Sequence, residues 1–341
     1  MITVYDAAQL AHDPQFFLTS GALAPCPEKP ARVAALLRGV ARLGGPVVRA
    51  PGAGMAPVAA VHPARYLTFL ETIHTRWSRI AGASAEVIAN IHPDGQRGGY
   101  PKSAVGQAGF HMTDTSCPIS ATTWGAALAS AQTAVHAADL VLGGAASAYA
   151  LCRPPGHHAY AETAGGFCYL NNAAIAAQRL RSANGGARRV AVLDVDVHHG
   201  NGTQGIFYAR ADVLTVSIHA HPERFYPFFW GYPQETGAAE GEGANLNLPL
   251  ERGTGDAGFM AALGVALDRV ALWGADTLVL ALGLDAFAGD PFAGLAVTTG
   301  GFAQIGRHVA ALDLPTVIVQ EGGYLCPELG DNLAAVLEGF A

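Results

Sequence analysis

The chain has 341 residues, of which 50% are hydrophobic and only 14% are charged, and its mean hydropathy is +0.24. This composition is typical of a compact folded enzyme and excludes a disordered or fibrous chain. The formal net charge of -7 argues against nucleic acid as a partner, because no long Lys/Arg cluster is present to replace the counterions of a phosphate backbone.

The cysteine pattern and the first residues indicate where the protein works. The five cysteines are scattered and lack C-x-x-C spacing; they are Cys26, Cys117, Cys152, Cys168 and Cys326. Neither a disulfide framework nor a cysteine-based zinc site is therefore expected. The chain begins without the basic and apolar regions of a signal peptide, and no run reaches the roughly 18 apolar residues of a membrane span. We expect a soluble, cytoplasmic protein with no membrane partner.

The first third of the chain predicts helices and one long loop. Helical patterns lie near residues 31–43, 63–80 and 122–142. Between them, the Gly- and Pro-rich stretch 90–107 predicts a loop excursion that extends back to about residue 77. Loops of this length commonly form lids, rims or oligomer contacts.

From residue 147 onward, short apolar runs alternate with longer helical patterns. The runs predict buried parallel strands at 147–152, 189–197, 213–219, 276–284 and 316–320. The helical patterns lie at 172–184, 257–274 and 301–313. This alternation predicts an α/β fold with a central, mostly parallel sheet and helices on both faces. Without an internal repeat or linker, residues 1–341 are predicted to form a single domain.

Reactive polar residues follow four of the five predicted strands. "RPPGHH" follows the first strand, "DVDVHHGNG" closes the second, "GLDAF" follows the fourth and "EGGY" follows the fifth. In an open parallel sheet the carboxyl ends of the strands face one crevice, where ligands bind. We therefore expect these side chains to converge there although they are distant in sequence.

A metal site is predicted in this crevice. Asp194, Asp196 and His198 are spaced by two, so in an extended strand their side chains project on one face. A divalent cation held by Asp196, His198 and a third carboxylate would neutralise the buried charges, and Asp285 is the natural third ligand. One histidine and two carboxylates leave a position open for water, as in a catalytic zinc site. Iron or cobalt suits the same ligands.

Acid–base groups are predicted beside the metal. His157 and His158 are adjacent and placed to act as base and acid, with Asp194 and Asn201 available to orient their rings. Tyr324 follows two glycines that would let the backbone bring its phenol over the metal, where it would stabilise an oxyanion. These groups together predict metal-assisted hydrolysis of an amide.

At this point the sequence resembles the superfamily of histone deacetylases and acetylpolyamine amidohydrolases, which has the arginase/deacetylase fold. The resemblance covers nearly the whole chain and rests on "RPPGHHA", "GGFCYLNNAAIAA", "DVDVHHGNGTQ", "SIHAHPERFYP", "GLDAFAGDP" and "EGGY", in the family's order. It implies one zinc ion, bound by Asp196, His198 and Asp285. It also implies that His157 and His158 are the tandem catalytic histidines, with His158 as the general base. Tyr324 would be the transition-state clamp.

The resemblance further implies a set of supporting residues. Asp194 would back His157, and Asn201 would back His158. A narrow tunnel would receive a slender acyl-amine chain, with walls formed at Gly165, Gly166, Phe167 and Tyr226.

Structural potassium ions at two sites are also implied. The first ion would be bound by Asp194, Ser217 and the backbone carbonyls of Asp196, His198 and Ile218. The second ion would be bound by carbonyls near Phe207, Arg210, Val213 and Ala244.

Two segments are more similar to the acetylpolyamine branch than to the histone branch. They are "FFLTSGALAPCPEKPARV" near the start and the stretch from about 77 to 107. In that branch the inserted loop helps build a homodimer and narrows the tunnel mouth, which favours small flexible amines. The chain departs from the branch at this mouth, where acidic residues for the cationic end of the substrate are replaced by neutral ones around Val105 and Ser116. Asp114 is the nearest acid.

These observations predict the zinc-dependent deacetylation of a small acylated amine, such as an acetylated polyamine. The alternative within enzymes is an acyl-lysine deacylase that acts on proteins. A two-manganese hydrolase similar to arginase would need a second full set of ligands. A non-catalytic metabolite sensor would be expected to lack a metal ligand or the tyrosine, and all of them are present.

Overall fold

A computed structural model shows a central β-sheet between helices, and it describes residues 1–93, 95, 98–183 and 185–341. Its strands, in chain order, are β1 (Ile2–Val4), β2 (Phe16–Thr19), β3 (Ala22–Pro25), β4 (Val47–Val48), β5 (Ser147–Ala150), β6 (Val190–Asp194), β7 (Val213–Ala220), β8 (Asn245–Leu250), β9 (Thr277–Leu282) and β10 (Thr316–Gln320).

The strands form one large sheet and one small hairpin. β2 and β3 pair in antiparallel fashion, whereas the large sheet has eight strands in the order β4-β1-β5-β10-β9-β6-β7-β8. Each pair of neighbouring strands in the large sheet is parallel. The predicted mostly parallel sheet is thus confirmed, and the carboxyl ends of its strands lie along one edge.

Helices pack on both faces of this sheet. They are α1 (Ala31–Leu43), α2 (Ala56–Ala59), α3 (Ala64–Trp77), α4 (Ala104–His111), α5 (Thr123–Leu142), α6 (Asn172–Ser182), α7 (Asn201–Phe207), α8 (Asp256–Trp273), α9 (Thr299–Ala310) and α10 (Leu329–Glu338). Of the helices in the described ranges, none is both long enough and apolar enough to cross a membrane.

The core lies on both sides of the central strands because successive residues of a strand point to opposite faces. In β6, Ala191 and Leu193 belong to the hydrophobic cluster that includes α1, α8, α9 and α10. Val190 and Val192 belong instead to the cluster that includes α5 and α6. Since both faces are covered, the strand is apolar throughout, which explains why its sequence is a continuous hydrophobic run.

The predicted elements agree with the structure in the second half of the chain, where all five predicted strands are present with shifted ends. The predicted helix 172–184 ends at Ser182, and residue 184 lies outside the described residues. Sequence patterns missed β8, because its edge position leaves polar residues in "NLNLPL" and removes the continuous apolar run. The short α7 and the C-terminal α10 were also missed.

The predicted loop excursion begins where α3 ends at Trp77, but α4 occupies its last residues from Ala104 onward. Residues 94, 96 and 97 of the excursion lie outside the described residues. The loop packs closely on α4, since a Cβ on Gly109 would lie 2.1 Å from the carbonyl oxygen of Ile91. The proposed single-domain organisation stays a prediction.

Candidate active site

The three predicted metal ligands meet at the carboxyl edge of the sheet. Asp196 and His198 follow the end of β6, and Asp285 follows the end of the neighbouring β9. Their ligand atoms all lie within 4.8 Å of one another, and all three residues are buried. His198 Nδ1 lies 3.0 Å from Asp196 Oδ1 and 3.3 Å from Asp285 Oδ2. The convergence of strands that are almost ninety positions apart therefore brings one imidazole and two carboxylates together.

This group fits a divalent cation. Asp285 Oδ2 is buried and accepts no hydrogen bond from the described residues. Burial and the neighbouring Asp196 raise the pKa of Asp285, because its carboxylate is taken from water and lies beside a second negative charge. Two glycines make room for the carboxylates of this group. A Cβ on Gly283 would lie 2.2 Å from Asp196 Oδ2, and a Cβ on Gly322 would lie 2.1 Å from Asp285 Oδ2. Oxygen and imidazole ligands of this kind suit zinc, with coordination positions left for water and substrate.

The tandem histidines lie beside the metal ligands with different partners. His157 Nδ1 donates to Asp194 Oδ2 at 2.9 Å, and His158 Nδ1 donates to Asn201 Oδ1 at 2.6 Å. Burial alone would lower the pKa of His157, but the carboxylates of Asp196 and Asp194 outweigh it and raise this pKa to about 10. Burial, reinforced by the charges of His157 and His198, holds the pKa of His158 well below its ordinary value.

The partners of these two rings decide their chemistry. A carboxylate stabilises the imidazolium of His157, whereas burial and the neighbouring positive charges keep His158 uncharged. Because Nδ1–H of His158 is donated to Asn201 Oδ1, the free lone pair of this ring lies on Nε2. His158 is therefore the ring that can accept a proton. The surroundings separate the pKa values of two adjacent histidines, as is common in acid–base sites.

A buried glutamate holds the histidine pair in place. Glu321 Oε2 accepts hydrogen bonds from the backbone N–H of Gly156 at 2.6 Å and of His157 at 3.0 Å. Glu321, His157 and Cys168 also form a second group with ligand atoms within 4.8 Å. In this second group, Asp194 engages His157 Nδ1 and backbone N–H groups engage Glu321 Oε2, whereas Glu321 Oε1 is buried and has no hydrogen-bond partner among the described residues.

Tyr324 is held on both sides of its peptide. Its backbone N–H donates to Asp290 Oδ2 at 2.9 Å. On the other side, Arg32 donates from Nε to the Gly323 carbonyl at 2.6 Å and from Nη2 to the Glu321 carbonyl at 2.8 Å. The guanidinium of Arg32 also lies 5.1 Å from the centre of the Tyr324 ring. Burial holds the pKa of Tyr324 well above its ordinary value, so the phenol stays a hydrogen-bond donor.

These groups face one cavity of about 540 Å³. His157, His158, His198 and Tyr324 line it, as do the predicted wall residues Gly166, Phe167 and Tyr226. Gly165 lies directly behind this wall, where a Cβ would be 2.2 Å from the Thr113 hydroxyl and 3.5 Å from that of Tyr226. Several further aromatic residues of the lining were missed by the sequence analysis, among them Phe17, whose ring centre is 5.5 Å from that of Phe167, and Phe292, whose ring centre is 4.7 Å from that of Tyr324.

Asp114, identified as the nearest acid to the mouth, is part of the cavity lining together with Ser116. Its Oδ1 accepts the Ser116 N–H at 2.7 Å, and its Oδ2 accepts the Tyr226 hydroxyl at 2.6 Å and the Gly166 N–H at 3.1 Å. Val105 lies on α4, packed against the cluster that includes α3. Asp114 therefore ties the two walls of the tunnel to each other.

The residues named for potassium lie in two places. Asp194 and Ser217 are register partners in β6 and β7, and Ile218 follows in the same strand. At the other place, the Phe207 carbonyl already accepts the Arg210 N–H at 2.9 Å, and the Ala244 carbonyl accepts the Thr215 N–H at 3.0 Å. Val213 begins β7 nearby in the chain.

Four residues with clear roles in this geometry had no assigned role in the sequence analysis: Arg32, Asp114 as a wall tie, Asp290 and Glu321. The motifs "GLDAFAGDP" and "EGGY" contain Asp290 and Glu321, so the presence of a second acid in the first motif and of an acid before the glycines in the other was the available signal. Arg32 lies 291 positions from Gly323, and no local pattern links them.

Comparisons with known proteins agree with this architecture. A family model for the histone deacetylase domain matches residues 26–340. Acetylpolyamine amidohydrolase from Burkholderia pseudomallei is 47% identical over 344 residues, which cover 100% of this chain and 98% of the relative. Acetylpolyamine amidohydrolase from Mycoplana ramosa is 44% identical and covers 95% of each chain.

Solved structures give the same picture. The crystal structure of acetylpolyamine aminohydrolase from Burkholderia pseudomallei is similar with a TM-score of 0.95 at 46% identity, covering 100% of this chain and 98% of that one. The crystal structure of the HDA15 HD domain is similar with a TM-score of 0.82 at 27% identity, covering 100% of this chain and 90% of that one. The fold is thus that of the deacetylases, as the sequence resemblance implied.

Proposed function

The chain belongs to the histone deacetylase domain family, and on that premise we propose that it is an amidohydrolase that deacetylates acetylated polyamines to acetate and free amine. Relatives named acetylpolyamine amidohydrolase, at 43–47% identity over the full chain, support this substrate class. The observation that carries the chemistry is the neutral His158 beside the buried group of Asp196, His198 and Asp285.

The proposed metal is zinc, bound by Asp196, His198 and Asp285. When bound there, zinc supplies a Lewis acid that polarises the amide carbonyl and acidifies water. Two of its three ligands are anionic and offset its charge, so a protein base must assist in deprotonating the water. This requirement explains why a neutral imidazole lies next to the ligand group.

The protein groups then divide the reaction between them. His158 Nε2 takes a proton from the attacking water, while Asn201 keeps the ring in the tautomer that makes this possible. The Tyr324 hydroxyl donates a hydrogen bond to the carbonyl oxygen as negative charge develops on it. His157, held by Asp194, orients its ring beside the developing anion, and His158 returns its proton to the leaving nitrogen. The aromatic walls limit the access of bulk water to these steps. The ring of Phe225 is stacked on that of His198, with 5.0 Å between the ring centres.

We also propose the remaining features that the resemblance implies. Potassium would bind near Asp194 and Ser217 and near Phe207 and Ala244. A homodimer would form through the loop 77–107, where the exposed apolar residues Ile80, Ile91 and Tyr100 offer contact area. A reducing, cytoplasmic location suits a chain whose five cysteines are free thiols.

The test is a direct comparison of two substrates on zinc-loaded protein. We expect N-acetylputrescine to be hydrolysed with a higher kcat/KM than an acetyl-lysine peptide, with acetate released in equal amount to amine. The opposite order would favour the protein deacylase, and turnover of neither would contradict amide hydrolysis.

A further inference from the structure

The mouth of the cavity has an aromatic rim, which consists of Phe228, Phe229 and Trp230. These residues line the same cavity as His158 and Tyr324, and they belong to the segment that follows β7. Phe228 is 47% exposed and Phe229 is 85% exposed. Large aromatic surfaces that face solvent at the opening of a deep pocket point to contact with a ligand that extends out of the pocket.

The rim lies where the charged end of a polyamine would leave the tunnel, yet carboxylates are scarce there. Of the described residues that line the cavity, only Asp114 is a carboxylate, and both of its oxygens are occupied by hydrogen bonds within the protein. The exposed Arg224 also lines the cavity and would repel an ammonium group. Aromatic faces can attract a cation at this opening without a carboxylate.

The backbone of this segment is held in conformations that need support. Phe228 has a φ of +62°, which is rare for a bulky residue, and Gly231 has a φ of +103°. At Gly231 a Cβ would lie 2.7 Å from His219 Nε2 and 2.8 Å from His199 Cγ, so only glycine fits. Backbone strain of this kind persists where the surrounding structure enforces it.

Glu235 supplies that support. Its Oε2 accepts three N–H donors: the backbone of Gly231 at 2.9 Å, Gln204 Nε2 at 2.6 Å and Asn247 Nδ2 at 3.2 Å. The Gly231 carbonyl lies 2.9 Å from His219 Nε2, so both polar groups of this peptide region are bound to the body of the protein. Removal of the carboxylate would take this acceptor from the Gly231 N–H and from Gln204 Nε2, whereas Asn247 Nδ2 would keep the Tyr232 carbonyl, and it would release the end of the rim.

The support also connects the rim to the catalytic helix. Gln204 lies on α7, which begins at Asn201, the partner of His158. Asn247 lies on β8 and donates a second hydrogen bond to the Tyr232 carbonyl at 3.1 Å. The rim is thus fixed relative to the reacting groups through α7 and β8.

Resting on the proposed function, we propose that Glu235 is a specificity-determining positioning residue, which holds the aromatic rim where Phe228, Phe229 and Trp230 receive the distal ammonium of an acetylated diamine. Recognition of the cation would then depend on aromatic faces at the mouth, with no carboxylate in direct contact with it.

The experiment compares two amides of nearly equal shape on the zinc-loaded protein, N-acetylputrescine and N-pentylacetamide, which carries a methyl group in place of the ammonium. The measured quantity is the cationic preference, the ratio of their kcat/KM values. We expect Glu235→Ala to lower this ratio roughly tenfold, mainly through the KM of N-acetylputrescine, as the loss of a cation–π contact predicts. Glu235→Gln keeps an acceptor oxygen and should recover most of the ratio. Glu240→Ala, an exposed carboxylate nearby, is the matched control.

A second variant does not depend on whether Glu235→Ala folds. Replacement of the exposed pair in the Phe228→Leu/Phe229→Leu variant keeps apolar side chains and removes two aromatic faces, so the cationic preference should fall here too. An unchanged ratio in Glu235→Ala and in the rim variant overturns the proposal. It is also overturned if Glu235→Gln and Glu235→Ala lower the ratio equally while the rim variant has no effect, because this result would indicate that the charge of Glu235 attracts the ammonium. Wild-type protein that cleaves neither amide contradicts the proposed function instead.

Discussion

The imidazole rings of His157 and His158 lie 4.0 Å apart between their centres, yet their pKa values are shifted in opposite directions. One ring faces a carboxylate and the other faces an amide. A pair of this kind can stabilise negative charge and accept a proton at the same time, which is what hydrolysis of an amide requires.

The first prediction concerns the base. His158→Ala should lower kcat for N-acetylputrescine at least 100-fold, because the other two imidazoles among the described residues that line the cavity belong to His157, which is paired with Asp194, and to the proposed metal ligand His198. Zinc content and the unfolding temperature should stay close to those of the wild type, since the metal ligands are untouched. Near-normal turnover in this variant would refute the assigned role.

The second prediction concerns the phenol. Tyr324→Phe should lower kcat by about 100- to 1,000-fold with a small change in KM, because the hydroxyl acts on charge that develops in the transition state. The ring contacts with Phe292 and Arg32 remain, so the fold should be kept. Steady-state kinetics of wild type and Tyr324→Phe with N-acetylputrescine provide the test. A change confined to KM would contradict a role of the hydroxyl in the transition state.

The third prediction concerns the metal. Asp285→Asn should lose bound zinc and activity together, because it removes one of two anionic ligands. Asp276→Asn is the matched control, since Asp276 lies at the opposite end of the same strand, β9, and binds backbone N–H groups there. Metal content measured by mass spectrometry should fall only in the first variant. Full zinc occupancy in Asp285→Asn would exclude it as a ligand.

The fourth prediction concerns the buried ion pair that supports the tyrosine loop. Arg32 donates to Glu28 Oε1 at 2.6 Å, and both side chains are almost fully buried. Arg32→Ala should lower the free energy of unfolding by about 3–5 kcal/mol, because it leaves a buried carboxylate with one partner fewer. Arg42→Ala, which breaks an exposed pair with Asp331, should cost less than about 1 kcal/mol. Urea unfolding of both variants measures the difference.

The fifth prediction concerns pH. Burial lowers the pKa of His62 to about 4, whereas in the unfolded chain it should be near 6.5. Between these values the unfolded state binds a proton that the folded state does not, so this contribution to stability is complete above pH 6.5 and is lost as the pH falls toward 4. His62→Gln removes this dependence, so the stability difference between wild type and variant should shrink by up to about 3 kcal/mol between pH 7 and 4. A constant difference would mean that His62 has the same pKa in the folded and the unfolded state.

Much of the site could be read from local patterns because its chemistry lies next to regular structure. The two-residue spacing of Asp194, Asp196 and His198 predicted side chains that share one direction, although β6 ends at Asp194 and the other two residues lie in the bend that follows. Asp285 could be added because parallel strands share an edge, and the structure brings it to the other two ligands. The central strands could be predicted from continuous apolar runs, because a strand that is buried on both faces has no alternation of polar and apolar residues.

The tertiary structure alone decided what surrounds these groups. Arg32 reaches the Gly323 carbonyl across 291 positions, and Asp114 reaches the Tyr226 hydroxyl across 112. Such contacts depend on how loops from separate elements fold over the sheet, and a hydrogen bond between distant residues leaves no periodic trace in either segment. The sequence by itself therefore determined the reacting groups, whereas the packing of the chain determined how they are held and what the mouth of the tunnel presents to a substrate.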